Sequence, residues 1–258
     1  MTTSLLARFA PTIRDLPVDF ANSLPLPASL HLESKSGLDV YYAPFDHVVT
    51  TARIVLVGIT PGRAQAIEAL SVARRELLAG SSLSVAASRA KVAASFAGPM
   101  RTNLIQLLDD VGVAARLGIP TTASLWGPDA HLVHFTSALR YPVFASAKNY
   151  SGAGITTHPL MRTQLETYFG EECRQLNQAL FVPLGSAVEQ ACDCLVSKGV
   201  LQASQVLRGL PHPSGANAER IAYFLGRKPK HMLSAKTRAE TLDAGRARAL
   251  ATVAGWHV

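Results

Sequence analysis

The chain has 258 residues and a formal net charge of +7, and this length is enough for a self-sufficient buried core. Its three cysteines, Cys173, Cys192 and Cys194, are too few and too closely spaced for a disulfide framework, so we expect a cytoplasmic protein. No segment approaches the roughly 18 apolar residues that a membrane-spanning helix needs, and no signal-peptide core is recognisable. Secreted disulfide-rich and membrane-spanning classes are therefore not expected.

Apolar periodicity and turn residues predict alternating strands and helices along the chain. Five prolines interrupt residues 1–47, which we interpret as an irregular wrap around the core with a short strand at 38–42. Further strands are predicted at 53–57, 131–135, 180–182 and 205–207, and helices at 64–78, 84–94, 103–111, 162–176, 186–197, 218–225 and 234–253. Turn residues dominate 127–159, which we interpret as a surface loop.

The order of these elements indicates an α/β fold in a single domain spanning 1–258. The alternation favours a three-layer α/β/α arrangement around a central, mostly parallel sheet of about four strands, because helices cover both faces of such a sheet. The core is expected at 50–226, and a basic C-terminal helix at 234–253 follows it.

The positive charge is concentrated late in the chain. Residues 227–248 contain seven Lys or Arg against Glu240 and Asp243, which is a net charge of +5 in 22 residues. Such a density suits a phosphate backbone or another anionic surface, and it is equally typical of an ordinary solvated face. Both interpretations stay open on the charge alone.

The first candidate site is the turn Gly58-Ile59-Thr60-Pro61-Gly62, which directly follows a predicted strand. Its two glycines let the backbone approach a ligand closely, and its proline stiffens the turn. Turns that contain Gly and Pro also connect strands to helices in purely structural settings. The turn therefore indicates a function only together with a second motif.

The second candidate site is the loop at 212–217, with the sequence His-Pro-Ser-Gly-Ala-Asn. The imidazole of His212 could face a developing anion, while Ser214 and nearby amide N–H groups take a phosphate at a helix start. In the structural alternative, Asn217 only caps the next helix. Because the carboxyl ends of parallel strands open on one edge of a sheet, we expect both loops to contribute to one site.

The two loops together resemble motifs of the uracil-DNA glycosylase superfamily. The turn at 58–62 is similar to the family's Gly-x-x-Pro-Gly motif, and residues 212–214 are similar to its His-Pro-Ser loop. Two further segments fit in the right order. Residues 94–98 look like the segment whose aromatic ring stacks on the flipped base, and 135–142 are similar to the strand end that reads the base edge. The likeness extends over 50–226.

The resemblance implies a base-excision repair enzyme that hydrolyses the N-glycosidic bond of uracil or another deaminated or damaged base in DNA. His212 would stabilise the departing base and Thr60 would position water, while Ile59, Phe96 and Ser137 would contact the flipped base. An extruded base needs stacking and edge contacts, and its developing negative charge needs a fixed donor. The DNA phosphates would be held by Gly62, Arg63, Ser214, Gly215, Asn217, Arg227 and Lys228.

Two positions depart from the family pattern. Thr60 stands where members with strong uracil activity usually carry Asp or Asn, and its hydroxyl can orient water but is a poor base. Ser137 stands where the family often has Asn, and one hydroxyl offers fewer contacts to a pyrimidine edge. A non-catalytic DNA-binding relative and a hydrolase of free nucleosides or nucleotides therefore stay open as alternatives.

The expected partner is DNA containing a damaged or deaminated base; no membrane is involved, and the protein is expected to be a monomer. Some branches of the family hold an iron-sulfur cluster through four cysteines, and this chain has three, so no cluster is expected. His131 and His134 lie three apart on a predicted strand and point to opposite faces, which disfavours a shared metal ion. We expect no metal or organic cofactor.

Overall fold

The computed structural model describes residues 5–95 and 99–256, and helix makes up 52% of the protein. The α-helices are α1 Leu5–Arg14, α2 Arg63–Leu78, α3 Leu83–Ala94, α4 Pro99–Asp110, α5 Val113–Leu117, α6 Pro159–Gln164, α7 Gly170–Gln175, α8 Ser186–Ser197, α9 Ala218–Phe224 and α10 Ala239–Gly255. The strands are β1 His31–Lys35, β2 Leu38–Tyr41, β3 Ile54–Gly58, β4 Val133–Ser137, β5 Val143–Ala145, β6 Lys148–Asn149 and β7 Leu180–Pro183. Short 3₁₀ turns lie at Phe20–Asn22, Ala28–Leu30, Thr122–Trp126, Ala130–Leu132, Ala203–Gln205, Gly215–Asn217 and Lys230–Met232, and a π-helical turn lies at Leu165–Phe169.

The chain divides into two compact units, each built from several segments. The first unit comprises Met1–Val48, Gly58–Ser95 and Phe135–Glu172. The second comprises Val49–Val57, Phe96–His134 and Cys173–Val258. No helix in the described ranges combines the length and the apolar character needed to cross a membrane.

A parallel sheet of three strands has the order β4-β3-β7. In the second unit, β3 pairs in parallel with β7, so that Val57 lies opposite Pro183. Residues 54–57 are fully buried, as expected for the apolar run of a parallel strand covered on both faces. The prediction of an α/β fold with a parallel sheet is confirmed at this level.

The predicted fourth strand at 205–207 is wrong. Ala203–Gln205 forms a 3₁₀ turn, and only an isolated parallel bridge joins Val206 to Phe181. The backbone N–H of Leu207 donates to the carbonyl of Phe181 at 2.8 Å, and the extended run stops soon afterwards. Gly209 has φ +98°, a left-handed conformation that a strand does not contain.

A second, antiparallel sheet lies in the first unit, with the order β1-β2-β5-β6. The predicted strand at 38–42 is confirmed as β2, and β4 corresponds to the strand predicted at 131–135. The interpretation of the rest of 127–159 as a loop is wrong, because β5 and β6 lie within it. These strands are short, and the turn between β5 and β6 places Ser146 and Ala147 at positive φ. That turn lacks the Gly or Asn that normally identifies a hairpin in a sequence.

The first helix was not predicted, because Pro11 lies inside it. A proline within a helix removes one backbone hydrogen bond and normally ends the helix. Here the helix survives because Leu6, Phe9, Ala10 and Ile13 form one buried face at helical spacing. Phe9 stacks on Tyr42 with ring centroids 4.5 Å apart, so packing within the first unit outweighs the cost of the proline.

The last helix, α10, begins at Ala239 and not at the predicted residue 234. Ser234 and Thr237 donate hydrogen bonds to the carboxylate of Glu219, which holds these residues in a loop. Further along α10, Gly245 is in direct backbone contact with Gly209: a Cβ atom on Gly245 would lie 2.6 Å from the Gly209 carbonyl oxygen. Because neither glycine has a side chain, α10 packs closely against the segment that leads to the loop at 212–217.

Candidate functional site

The turn at 58–62 is anchored to the end of β4 within the first unit. The backbone N–H of Ala138 donates to the carbonyl of Gly58 at 2.8 Å, and that of Leu139 donates to the carbonyl of Ile59 at 2.9 Å. Ser137 is the residue before this pair and is half-buried. The structure therefore brings Ile59 and Ser137, two of the predicted base contacts, to neighbouring positions.

The hydroxyl of Thr60 is already engaged in two hydrogen bonds. It donates to the carbonyl of Tyr141 at 2.9 Å and accepts from the backbone N–H of Val143 at 3.1 Å. A hydroxyl has one proton and two lone pairs, so one acceptor position remains. Thr60 can accept a hydrogen bond from a water molecule, but its own proton is committed to the protein.

The two predicted phosphate contacts beside this turn also have protein partners. The backbone N–H of Gly62 donates to Gln65 Oε1 at 3.0 Å, and that of Arg63 donates to Asn149 Oδ1 at 2.9 Å. The guanidinium of Arg63 donates to carbonyls of the N-terminal wrap, namely those of Ala21, Ser23 and Pro25. Arg63 therefore ties the wrap to the start of α2, and a phosphate would compete with these acceptors.

A buried ionic cluster in the first unit was not anticipated from the sequence. Glu172 is fully buried, and its carboxylate accepts from the hydroxyl of Thr136 at 2.6 Å and from Arg140 Nε at 2.7 Å. Arg140 also donates to the carbonyl of Tyr168 and lies over its ring, 5.2 Å from the centroid. These contacts anchor the residues on both sides of Ser137.

A second acid and a second base complete this cluster. The carboxylate of Asp46 accepts from the hydroxyls of Tyr42 and Tyr141, each at 2.8 Å, and burial raises the pKa of both tyrosines. Lys91 Nζ donates to the carbonyls of Phe45 and His47. Burial lowers the pKa of Lys91 to about 8, although nearby carboxylates oppose the shift. Since Tyr141 also supplies the carbonyl that binds Thr60, the cluster supports the first turn.

The loop at 212–217 lies in the second unit, and it fixes the imidazole of His212. The backbone N–H of Ser214 donates to His212 Nδ1 at 3.1 Å. The ring is half-buried, and this burial lowers the pKa of His212 from its ordinary value of 6.5. A neutral imidazole that accepts at Nδ1 carries its proton on Nε2. No hydrogen-bond partner for Nε2 is found among the described residues.

Two residues that lie elsewhere in the second unit, Asn103 and Gly185, pack against this loop. Asn103 on α4 donates from Nδ2 to the carbonyl of Pro213 at 2.9 Å. Gly185, which follows β7, has φ +101°, and a Cβ atom there would lie 3.1 Å from His212 Cδ2. Because the N–H of Leu184 donates to the carbonyl of Val57, His212 lies at the carboxyl edge of the β3–β7 pair. Neither contact was predicted.

The rest of the loop forms a compact turn before α9. Asn217 Nδ2 donates to Ser214 Oγ at 3.2 Å, and its Oδ1 accepts from Arg220 at 2.8 Å. Asn217 occupies the N-cap position of α9, as the structural alternative expects, but its side chain makes no capping hydrogen bond. Gly215 is exposed. His212, Ser214, Gly215 and Asn217 are thus brought together in one turn.

Three basic residues that follow α9 are paired with polar or acidic side chains. Arg227 donates to Gln106 Oε1 at 2.9 Å, Lys228 Nζ lies 2.7 Å from Glu219, and Lys230 Nζ lies 2.6 Å from Glu240. The predicted phosphate contacts Arg227 and Lys228 are therefore already engaged by Gln106 on α4 and Glu219 on α9. Phe96, the predicted stacking residue, lies outside the described residues. Within the described ranges, no group of three or more His, Cys, Asp or Glu side chains is arranged to hold a metal ion.

Comparisons with known proteins identify a relative of this chain. No protein-family model and no solved structure matches it. A relative from Bacillus subtilis (strain 168), named "Uncharacterized protein YoxB", is 38% identical over 240 residues, which cover 92% of this chain and 93% of the relative. Identity at this level over nearly the full length of both proteins reflects a common fold. The chain therefore belongs to the same protein family as YoxB.

Proposed function

We propose that the protein is a DNA glycosylase that hydrolyses the bond between deoxyribose and uracil or another deaminated or damaged base. The observation that carries this proposal is the hydrogen bond from the Ser214 N–H to His212 Nδ1, because a neutral imidazole that accepts there carries its proton on Nε2. A fixed N–H donor in a half-buried position suits an anion that develops on a departing base. The resemblance of the two loops to glycosylase motifs supports the same activity.

The reaction requires little from the protein beyond leaving-group stabilisation. When the N-glycosidic bond breaks, its electron pair leaves with the base, and positive charge develops on the sugar. The Nε2–H of His212 would donate to a carbonyl oxygen of the base as negative charge accumulates there. Water then adds to the sugar carbon and loses a proton to solvent. The hydroxyl of Thr60 keeps one lone pair that can orient a water molecule, but it is too weak a base to deprotonate one.

A non-catalytic DNA-binding relative is the second candidate. The observation that favours it is the engagement of Thr60, whose only hydroxyl proton is used by the carbonyl of Tyr141. With no strong base at this position, water activation is weak. This alternative predicts salt-sensitive binding to DNA, since phosphate contacts release counterions, but no release of any base.

The decisive experiment measures base release from oligonucleotides. Single- and double-stranded substrates carrying uracil, hypoxanthine, xanthine or an oxidised pyrimidine are incubated with the protein, and the free base is quantified beside free nucleosides as substrates. If the proposal is correct, His212→Ala lowers the rate by about 10² to 10³-fold, the usual cost of removing one anion-stabilising donor.

His131→Ala is the matched control, because His131 is an exposed histidine whose backbone carbonyl, and not its ring, accepts from Thr51. This variant should release base at the wild-type rate. Equal rates for His212→Ala and wild type would contradict the role of His212. Binding without release from any substrate would favour the non-catalytic candidate, and turnover of nucleosides alone would favour a nucleoside hydrolase.

A further inference from the structure

The peptide group between Pro213 and Ser214 is held at both of its polar ends. Its carbonyl oxygen accepts from Asn103 Nδ2 at 2.9 Å, and its N–H donates to His212 Nδ1 at 3.1 Å. This peptide is trans, so the carbonyl and the N–H point in opposite directions across one rigid plane. The orientation of the N–H toward the imidazole is therefore set by whatever holds the carbonyl.

Asn103 is well placed to hold that carbonyl. It lies on α4, and the neighbouring residues Leu104, Leu107 and Leu108 on this helix are fully buried. A side chain on a packed helix is a more rigid anchor than one on a loop. Pro213 is itself buried, and its ring restricts the backbone on the other side. The peptide plane thus has few ways to rotate.

We propose that Asn103 is a positioning residue that selects the tautomer of His212 with the proton on Nε2. The Asn103 amide orients and polarises the peptide between Pro213 and Ser214, whose N–H then occupies His212 Nδ1. Hydrogen bonds in series strengthen one another, so the two bonds act together. Gly185 assists because it has no side chain: a Cβ atom there would lie 3.1 Å from His212 Cδ2, the ring carbon bonded to Nε2. The catalytic part of this inference rests on the proposed glycosylase function.

The test measures the tautomer directly, without a substrate. Imidazole ¹H–¹⁵N correlation spectra of the full-length protein at neutral pH show which ring nitrogen carries the proton, and His212→Gln identifies the His212 signals by their loss. Wild type should show a single neutral form protonated on Nε2. Asn103→Leu, which keeps the size of the side chain and removes its donor, should show a mixture of both tautomers.

Two variants separate positioning from a general loss of structure. Asn103→Gln retains an amide donor and should restore part of the wild-type signal. Gln205→Leu removes a side-chain amide that donates to the carbonyls of Asn177 and Ala179, a bond of the same kind elsewhere in the second unit. It should lower the melting temperature and leave the His212 spectrum unchanged. Asn103→Ala serves in place of Asn103→Leu if the leucine variant does not fold.

Either of two results would overturn the inference: a wild-type spectrum with mixed tautomers, or an Asn103→Leu spectrum identical to wild type. Where wild type releases a base, Asn103→Leu should reduce kcat by about tenfold to a hundredfold with little change in KM, because a misplaced group costs rate more than binding. Absence of base release would count against the proposed function alone. The tautomer measurement would still decide the role of Asn103.

Discussion

The contact between Gly209 and Gly245 offers a quantitative test of how the second unit packs. A Cβ atom on Gly245 would lie 2.6 Å from the carbonyl oxygen of Gly209, and one on Gly209 would lie still closer to the carbonyl oxygen of Gly245. Optimal non-bonded separations are about 3.5 Å, so α10 would have to move by about 1 Å to accept a methyl group. No rotamer change relieves the clash, because both partners are backbone atoms.

The expected cost of Gly245→Ala follows from two opposing effects. Overpacking against rigid backbone destabilises by about 3 kcal/mol, the upper end of the usual range. Alanine gains about 1 kcal/mol over glycine within a helix, so the net loss is about 2 kcal/mol. For a chain of this size that loss lowers the melting temperature by about 4 to 8 °C. Gly209→Ala should cost more, because Gly209 has φ +98° and its replacement gains no helix propensity.

Gly255→Ala is the matched control, because Gly255 also belongs to α10 and a Cβ atom there meets nothing within 4 Å. Urea unfolding followed by circular dichroism and tryptophan fluorescence gives the free energy of unfolding of each variant. We expect Gly255→Ala to be at least as stable as wild type. If Gly245→Ala unfolds within about 0.5 kcal/mol of wild type, the close backbone contact does not exist and the reasoning fails.

Three further predictions concern charged groups. Glu172→Leu leaves Arg140 without its buried partner and should reduce the free energy of unfolding by about 3 kcal/mol in a urea titration. The control is Glu171→Leu at the neighbouring exposed position, which should change this free energy by no more than about 0.5 kcal/mol. The pKa of Glu219 lies well below its ordinary value of 4.5, chiefly because Lys228 donates to it. The ionised Glu219 carboxylate therefore stabilises the folded protein fully above pH 4.5, and this stabilisation is lost as the pH falls further. The melting temperatures of wild type and Glu219→Gln should converge on acidification. Plots of melting temperature against pH that stay parallel for the two proteins would contradict this. Protonation of His212 at Nδ1 would bring that new N–H against the N–H of Ser214, so the active form is the neutral imidazole. Because the pKa of His212 is lowered, base release in a pH–rate profile should persist below pH 6.5 and decline only at that lowered pKa. A decline on the acid side that is centred above pH 6.5 would exclude this assignment.

The elements that could be predicted from the sequence are those whose signal is local. The continuous apolar run of β3 and the helical spacing of α2 each lie within a few residues, and both elements form where expected. The loop at 212–217 lies before a helix, as expected, but the hydrogen bond from the Ser214 N–H to His212 Nδ1 was not predicted, because the sequence analysis assigned the amide N–H groups of this loop to a phosphate.

The features that could not be predicted depend on residues far apart in the chain. The hydroxyl of Thr60 binds the carbonyl of Tyr141, 81 positions away, and the hydroxyl of Tyr141 binds Asp46, 95 positions away. Lys91 follows alanines in a helix and resembles an ordinary surface lysine, yet it is buried against two carbonyls. Only the tertiary fold creates these pairs. The single-domain organisation and the functional roles of the site residues stay predictions.

The two loops differ in what they leave open for a ligand, and this difference bears on the chemistry. In the first turn, the proton of Thr60 and the N–H groups of Gly62 and Arg63 already have protein acceptors. In the second loop, the structure occupies Nδ1 of His212 and leaves Nε2 without a partner among the described residues. Of these four donors, only the Nε2–H of His212 has no acceptor among the described residues. If the protein cleaves a glycosidic bond, the barrier must be lowered mainly by stabilising the departing base, and bases that leave readily as anions should be released fastest.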